Sequence, residues 1–194
     1  FSLIIEVLDR TLRDALRSQQ LSGLPVIAAF NGMSNLKYRG FLKACNRIAA
    51  SYSCRRLNKY LRPGETSVIN LISLYPREGK SFLAKYFADY WRKEGLSVRI
   101  VDHSIDFIAK DKSYSQAKHL SDFWVKNEAE ATPDIVIVEY PSMQDAGIPI
   151  NTLKEADINL LIANAQRLWR ESDTISISPI KESLTEKPFM MYLN

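Results

Sequence analysis

Apolar residues along the chain gather into short unbroken runs, and between the runs the apolar positions fall at helical spacing. Residues 67–74, reading SVINLISL, form the most β-rich run. Continuous apolarity of this kind predicts a strand buried on both faces. Residues 96–101, 135–138, 158–163 and 189–193 repeat the pattern. Helices are expected over 82–92, stopped near Gly95, and over 38–61 with a break near Ser51 to Ser53. Nearer the start, Ile4, Ile5, Leu8, Leu12 and Leu16 carry the i, i+3, i+4 period of an amphipathic helix over 4–16. Gly23-Leu24-Pro25 breaks it, 26–30 predicts a short strand, and Asn31-Gly32 is a turn signal. Strands alternating with helices imply an α/β fold, a mostly parallel sheet flanked by helices and joined by right-handed crossovers. The chain divides into a leader helix and strand at 1–30 and the α/β domain at 31–194.

Composition changes this picture little. Hydrophobic residues make up 46% and charged residues 25%, as in ordinary globular domains rather than disordered chains. The net charge of +4 gives no ground for a nucleic-acid partner. Its distribution says more. Between Asn31 and Gly64 the charged residues are Lys37, Arg39, Lys43, Arg47, Arg55, Arg56, Lys59 and Arg62, with no acid among them. A block of one sign either packs on an acidic part of the same protein or meets anionic lipid or a partner subunit. Cys45 and Cys54 are too few for a disulfide framework and have no ligand spacing with His103 or His119, which fits a reducing compartment. No apolar run is long enough to span a bilayer. The opening Phe1-Ser2-Leu3 and the closing strand 189–193 suggest a piece of a longer protein.

The chemistry centres on Gly79-Lys80-Ser81, between the predicted strand 67–74 and the predicted helix 82–92. This is the second half of the Walker A pattern. Gly79 would let the backbone approach a phosphate, and the helix N-terminus offers unpaired N–H groups and a positive dipole end. Lys80 would neutralise phosphate oxygens and Ser81 would ligate Mg²⁺. Leu74 stands where the pattern has its first glycine. Gly-Lys-Ser alone is also an ordinary helix start, but strand, turn and helix together favour the phosphate reading. Asp102 and Glu139 follow two of the predicted strands at carboxyl ends, where open α/β sheets bind ligands. Either acid alone would serve as a cap; two beside the turn point to Mg²⁺ or its waters. Tyr75, Tyr86, Tyr90 and Tyr140, and Trp91, Trp124 and Trp169, read as packing residues.

The run Ser73-Leu74-Tyr75-Pro76-Arg77-Glu78-Gly79-Lys80-Ser81 resembles the S-x-x-P-x-x-G-K-[ST] turn of bacterial tyrosine kinases that serve capsular and exopolysaccharide assembly. Val98-Arg99-Ile100-Val101-Asp102 resembles their Walker A′ strand, and Asp134 through Glu139-Tyr140-Pro141 their Walker B strand. Ala156-Asp157 with the following strand, and the closing Leu193-Asn194, are similar to later parts of the same domain. Residues 6–27 are similar to the segment that follows the second transmembrane helix in polysaccharide co-polymerases, the chain-length-determinant proteins. The resemblance implies ATP or ADP and Mg²⁺ as cofactors, with Pro76, Arg77, Glu78, Gly79, Lys80 and Ser81 binding nucleotide. It implies Ser81, Asp102 and Glu139 around the metal, with Asp102 and Glu139 as the catalytic acids of an active enzyme. It also implies a parent protein held at the cytoplasmic face of the bacterial inner membrane by transmembrane helices outside this chain. The implied partners are the polysaccharide polymerase and export machinery, and a homo-oligomer.

The chain departs from that family at several points. Ser104 stands where the second aspartate of D-x-D falls, Glu139 replaces the Walker B aspartate, and Arg77 replaces a glycine. The E-x-x-R-x-x-R oligomerisation motif falls at Leu36, Arg39 and Leu42, so Arg39 alone remains. Phosphoryl transfer relies on positioning and on charge neutralisation around Mg²⁺, so these losses favour a regulatory or scaffolding module with weak or lost kinase activity. The alternatives are an active autophosphorylating tyrosine kinase and a partitioning-type P-loop ATPase. The leader segment argues against the last.

Overall fold

The computed structural model describes residues 12, 14–30, 39–107, 114, 116–123 and 132–194. Its six strands are β1 (Val26–Ala29), β2 (Ser67–Ser73), β3 (Val98–Asp102), β4 (Ile135–Ser142), β5 (Ile158–Ala163) and β6 (Phe189–Leu193). They form one sheet in the order β1-β6-β5-β2-β4-β3, every neighbouring pair parallel. The helices are α1 (Ala15–Ser22), α2 (Arg39–Leu57), α3 (Lys80–Lys93), α4 (Ile150–Glu155) and α5 (Glu171–Ser183). The expected mostly parallel α/β sheet flanked by helices is the fold observed.

Period-two alternation in the strands divides the core into two layers. On one face Ile69 and Leu71 of β2, Ile137 of β4, Leu160 and Ile162 of β5 and Tyr192 of β6 cluster with Leu83, Phe87 and Trp91 of α3 and Cys54 and Leu57 of α2. On the other, Val68, Ile72, Val136, Val138, Leu161 and Met191 cluster with Leu153 of α4 and Ile177 and Ile180 of α5. Every residue of β2, β4, β5 and β6 is buried, which is why their sequences read as unbroken apolar runs. β3, at the sheet edge, is only half-buried.

Four local expectations are corrected. α2 is continuous through Ser51–Ser53, because Ser51 and Ser53 donate their hydroxyls to the carbonyls of Ile48 and Ala49 within the helix. The first predicted helix does not run through Leu16 as one piece: Asp14 is extended and caps a helix that begins at Ala15, accepting from the Arg17 N–H at 2.8 Å. Gly23, in the left-handed conformation, closes it. The predicted stretch before residue 12, the turn at Asn31-Gly32, and Lys37, Leu36 and Trp124 lie outside the described residues. β4 does not stop at Val138 but continues through Pro141 to Ser142, so Glu139 sits inside the strand. The strand predicted over 96–101 starts later, at Val98, and includes Asp102.

The chain leaves β2 toward β3 on one side and later passes from β4 to β5 on the other. The carboxyl end of β2 therefore lies where the direction of the connections reverses, the position at which open α/β sheets form a crevice.

Candidate phosphate-binding site

The turn 74–79 joins β2 to α3 directly above that crevice. Leu74, in the place of a glycine, points into the core and is 4% exposed. Arg77 and Gly79 both take left-handed backbone, at φ 61° and φ 98°. Gly79 has a second reason to be glycine. A Cβ there would collide with the Nδ2 of Asn194, which donates to the Glu78 carbonyl at 3.2 Å. Asn194 follows β6, so the far end of the chain closes over the turn. α3 begins at Lys80, and the N–H groups of its first turn have no acceptor within the helix.

Three of the predicted residues converge here. Lys80 is buried and its ammonium donates to Ser73 Oγ at 2.6 Å. Ser73 Oγ in turn donates to the Tyr75 carbonyl at 2.9 Å. Ser81 Oγ donates to Glu139 Oε2 at 2.6 Å, joining the start of α3 to the centre of the sheet. Burial holds the Lys80 pKa below its ordinary value, against the opposing pull of Glu139, Glu78, Asp145 and Asp102. Burial raises the Glu139 pKa, and the charge of Asp102 adds to the rise, while the Ser81 hydrogen bond and Lys80 lower it. Lys80 is hydrogen-bonded to a neutral hydroxyl, and among the described residues no carboxylate forms an ion pair with it, which leaves its charge for an anionic group.

Glu78 points away from that opening. Its carboxylate, 3% exposed, pairs with Arg167 Nε at 2.6 Å and accepts from the Tyr75 N–H at 3.2 Å. Arg167 also pairs with Asp173, which accepts from the Tyr75 hydroxyl at 2.8 Å. The guanidinium lies over the rings of Tyr75 and Trp169. Glu78, expected to bind nucleotide, is thus a brace beneath the turn. Arg167 and Asp173 escaped the sequence reading, since nothing in the local pattern ties them to residues 75–78. Pro76 lies in the turn with no polar side chain, and the exposed Arg77 side chain makes no described contact that fixes it.

Asp102 lies opposite Glu139 in the β3–β4 register. Its carboxylate is engaged by its own turn. Oδ1 accepts from the Ser104 N–H at 2.8 Å and from the Ser104 hydroxyl at 2.7 Å, and His103 Nδ1 lies 3.4 Å away. Asp106 accepts from the Asp102 N–H at 2.7 Å. Among the described residues no group of three or more His, Cys, Asp or Glu side chains is placed to hold a metal ion. A hard cation such as Mg²⁺ takes oxygen ligands, keeps several waters and needs only one or two carboxylates. The Ser81 hydroxyl and the Glu139 carboxylate, already in contact, offer that donor set.

No family model matches the sequence, and no curated protein matches it significantly. Solved structures do. The kinase domain of the Escherichia coli tyrosine kinase ETK superposes with a TM-score of 0.64 at 15% identity, covering 93% of this chain and 94% of that one. The chimerical protein CapA2B2 gives 0.62 at 15% identity, over 93% and 98% of the two chains. The BceF tyrosine kinase domain gives 0.61 at 12% identity, over 94% and 98%. Over nearly its whole length, then, the chain has the fold of the bacterial tyrosine-kinase domains whose motifs its sequence resembles.

Proposed function

We propose that this chain is a kinase-like P-loop module that binds Mg²⁺ with ATP or ADP and acts as a regulatory or scaffolding domain in polysaccharide assembly and export, with kinase activity weak or lost. The parent protein in this reading is anchored at the cytoplasmic face of the bacterial inner membrane and works beside the polymerase and export machinery, as a homo-oligomer. The observation that carries the nucleotide reading is the convergence of Lys80, Ser81 and Glu139 at the N-terminus of α3, with Ser81 and Glu139 2.6 Å apart. Bound there, nucleotide phosphate would meet the Lys80 charge and the free N–H groups of the helix, and the metal would be held by Ser81 and Glu139. The observation that favours weak chemistry is Asp102. Its carboxylate is shared with Ser104, which stands where a second acid would lend charge to the metal or the nucleophile.

The alternative is an active ATP-dependent autokinase that controls polysaccharide chain length. It is supported by Glu139, which is still within hydrogen-bond reach of Ser81. Calorimetric titration with Mg·ATP and Mg·ADP separates the two. Saturable binding is expected, weakened about tenfold to a hundredfold in Lys80→Ala, the range for loss of a charge-assisted hydrogen bond. Radiolabel transfer to tyrosine would establish the autokinase. Absence of binding at millimolar nucleotide would defeat the nucleotide reading.

A further inference from the structure

A groove of about 590 Å³ runs between α2 and α3. Helical spacing turns one row of α2 and two rows of α3 into it. Lys43, Arg47 and Ala50 stand at i, i+4 and i+7 on α2. On α3, Phe82, Tyr86 and Tyr90 form one row at i, i+4 and i+8, and Lys85, Asp89 and Lys93 form the row beside it. Ala50 is buried and small, which leaves depth between the helices. The rings are set in advance. Phe30, next after β1, packs against Phe82 and Tyr86 at centroid distances of 5.3 and 5.1 Å, and those two rings lie 4.9 Å apart. The hydroxyls of Tyr86 and Tyr90 have no hydrogen-bond partner among the described residues.

Charge points to the occupant. Lys43, Arg47, Lys85 and Lys93 face the single acid Asp89. None of the five is in an ion pair among the described residues. For Lys43 and Arg47, then, packing on an acidic part of the same protein is not realised among the described residues. The groove offers positive charge, hydroxyl donors and flat apolar walls, which suit an anion with a flat ring. Lys85 and Lys93 are eight residues apart, about 12 Å along the helix, further than one phosphate reaches. The volume falls in the range of small-ligand sites, about 300–1,000 Å³. A bilayer is flat, and would meet the rim cations while leaving the half-buried rings uncovered. A second copy of the same face would set cation against cation.

We infer that this groove is a second ligand site, for a nucleotide-class anion: a flat ring carrying two or more phosphates. The ring stacks on the tyrosine row and the phosphates pair with the cations on the two walls. With one acid in its lining the groove has no donor set for Mg²⁺, so binding there needs no metal. None of the turn residues 73–81 lines the groove, so the inference does not depend on nucleotide binding at the turn.

The test is calorimetric titration of the Lys80→Ala chain, which lacks the cation of the turn, with ADP and with pyrophosphate in EDTA. ADP is expected to saturate and to bind about tenfold tighter than pyrophosphate, the worth of one stacked base. Lys43→Ala/Lys85→Ala, added to that chain, takes one cation from each wall and should weaken ADP about tenfold, at about threefold for each. Asp89→Asn removes the opposing charge and should tighten ADP about threefold, a gain that a structural role would not produce. All three positions are exposed, and unaltered thermal melts would show that the variants fold. The inference is overturned if ADP fails to saturate at millimolar concentration, if pyrophosphate binds as tightly, or if either variant binds ADP as its parent does. Sedimentation velocity supplies one more outcome. Self-association that Lys43→Ala/Lys85→Ala abolishes, in a chain that ignores ADP, would assign the groove to a second copy and overturn it too.

Discussion

The two halves of the candidate site are built differently. On the β2–α3 side the turn is braced from below by Glu78, Arg167 and Asp173, closed from the side by Asn194, and linked to the sheet through Ser81 and Glu139. On the β3 side, Asp102 sits at the end of a half-buried edge strand and spends its carboxylate on Ser104 one turn away. Buried and cross-linked groups hold a geometry before any ligand arrives; a carboxylate engaged by its own turn must give up local bonds to act elsewhere. The contrast separates holding a phosphate from activating a metal or nucleophile. Under the proposed nucleotide reading, the first arrangement suits holding a phosphate and the second suits metal or nucleophile activation less well.

The largest break in that contrast is expected from Arg167→Ala. It leaves Glu78 and Asp173, at 3% and 2% exposed, without their shared cation. Removing one partner of a buried ionic network costs about 3–5 kcal/mol, measurable by urea denaturation. A loss below about 1 kcal/mol would mean that the brace carries little of the turn's stability. Next is Gly79→Ala, which must take φ 98° and displace Asn194. A cost of about 2 kcal/mol is expected, with much of nucleotide binding lost. Unchanged stability would show that the contact with Asn194 yields easily.

The smallest effect concerns pH. Burial raises the Glu139 pKa, so the folded state binds a proton more readily there than the unfolded chain. Stability from this group is therefore present at low pH and is lost as pH rises from the ordinary glutamate range through the raised value. Glu139→Gln should remove that slope and raise the melting temperature at neutral pH relative to acid. An identical pH dependence in parent and variant would assign the slope to other groups.

Most of the fold was legible because its strands are buried on both faces and so announce themselves as apolar runs. β4 was misjudged at its end because Glu139-Tyr140-Pro141 looks like a boundary: an acid, and then a residue that cannot donate to a ladder. What the sequence does not display is that Glu139 reaches Ser81 and that Tyr140 is buried against Thr152. The serines of α2 misled for a related reason, since their hydroxyls have partners within the helix that composition does not reveal. At the site, Gly79, Lys80 and Ser81 were found because the phosphate turn is contiguous. Arg167, Asp173 and Asn194 were not found as parts of it, because tertiary contact alone brings them there.

β2 is flanked in the sheet by β4 and β5, and β6 delivers Asn194 to the turn. Parallel pairing of this kind joins segments remote in the chain, and such contacts repay the entropy of closing large loops only late in folding. During synthesis the Gly79-Lys80-Ser81 stretch leaves the ribosome well before the residue that closes over it. The turn can take its final shape only when the closing strand has docked, which ties any affinity for phosphate to completion of the sheet.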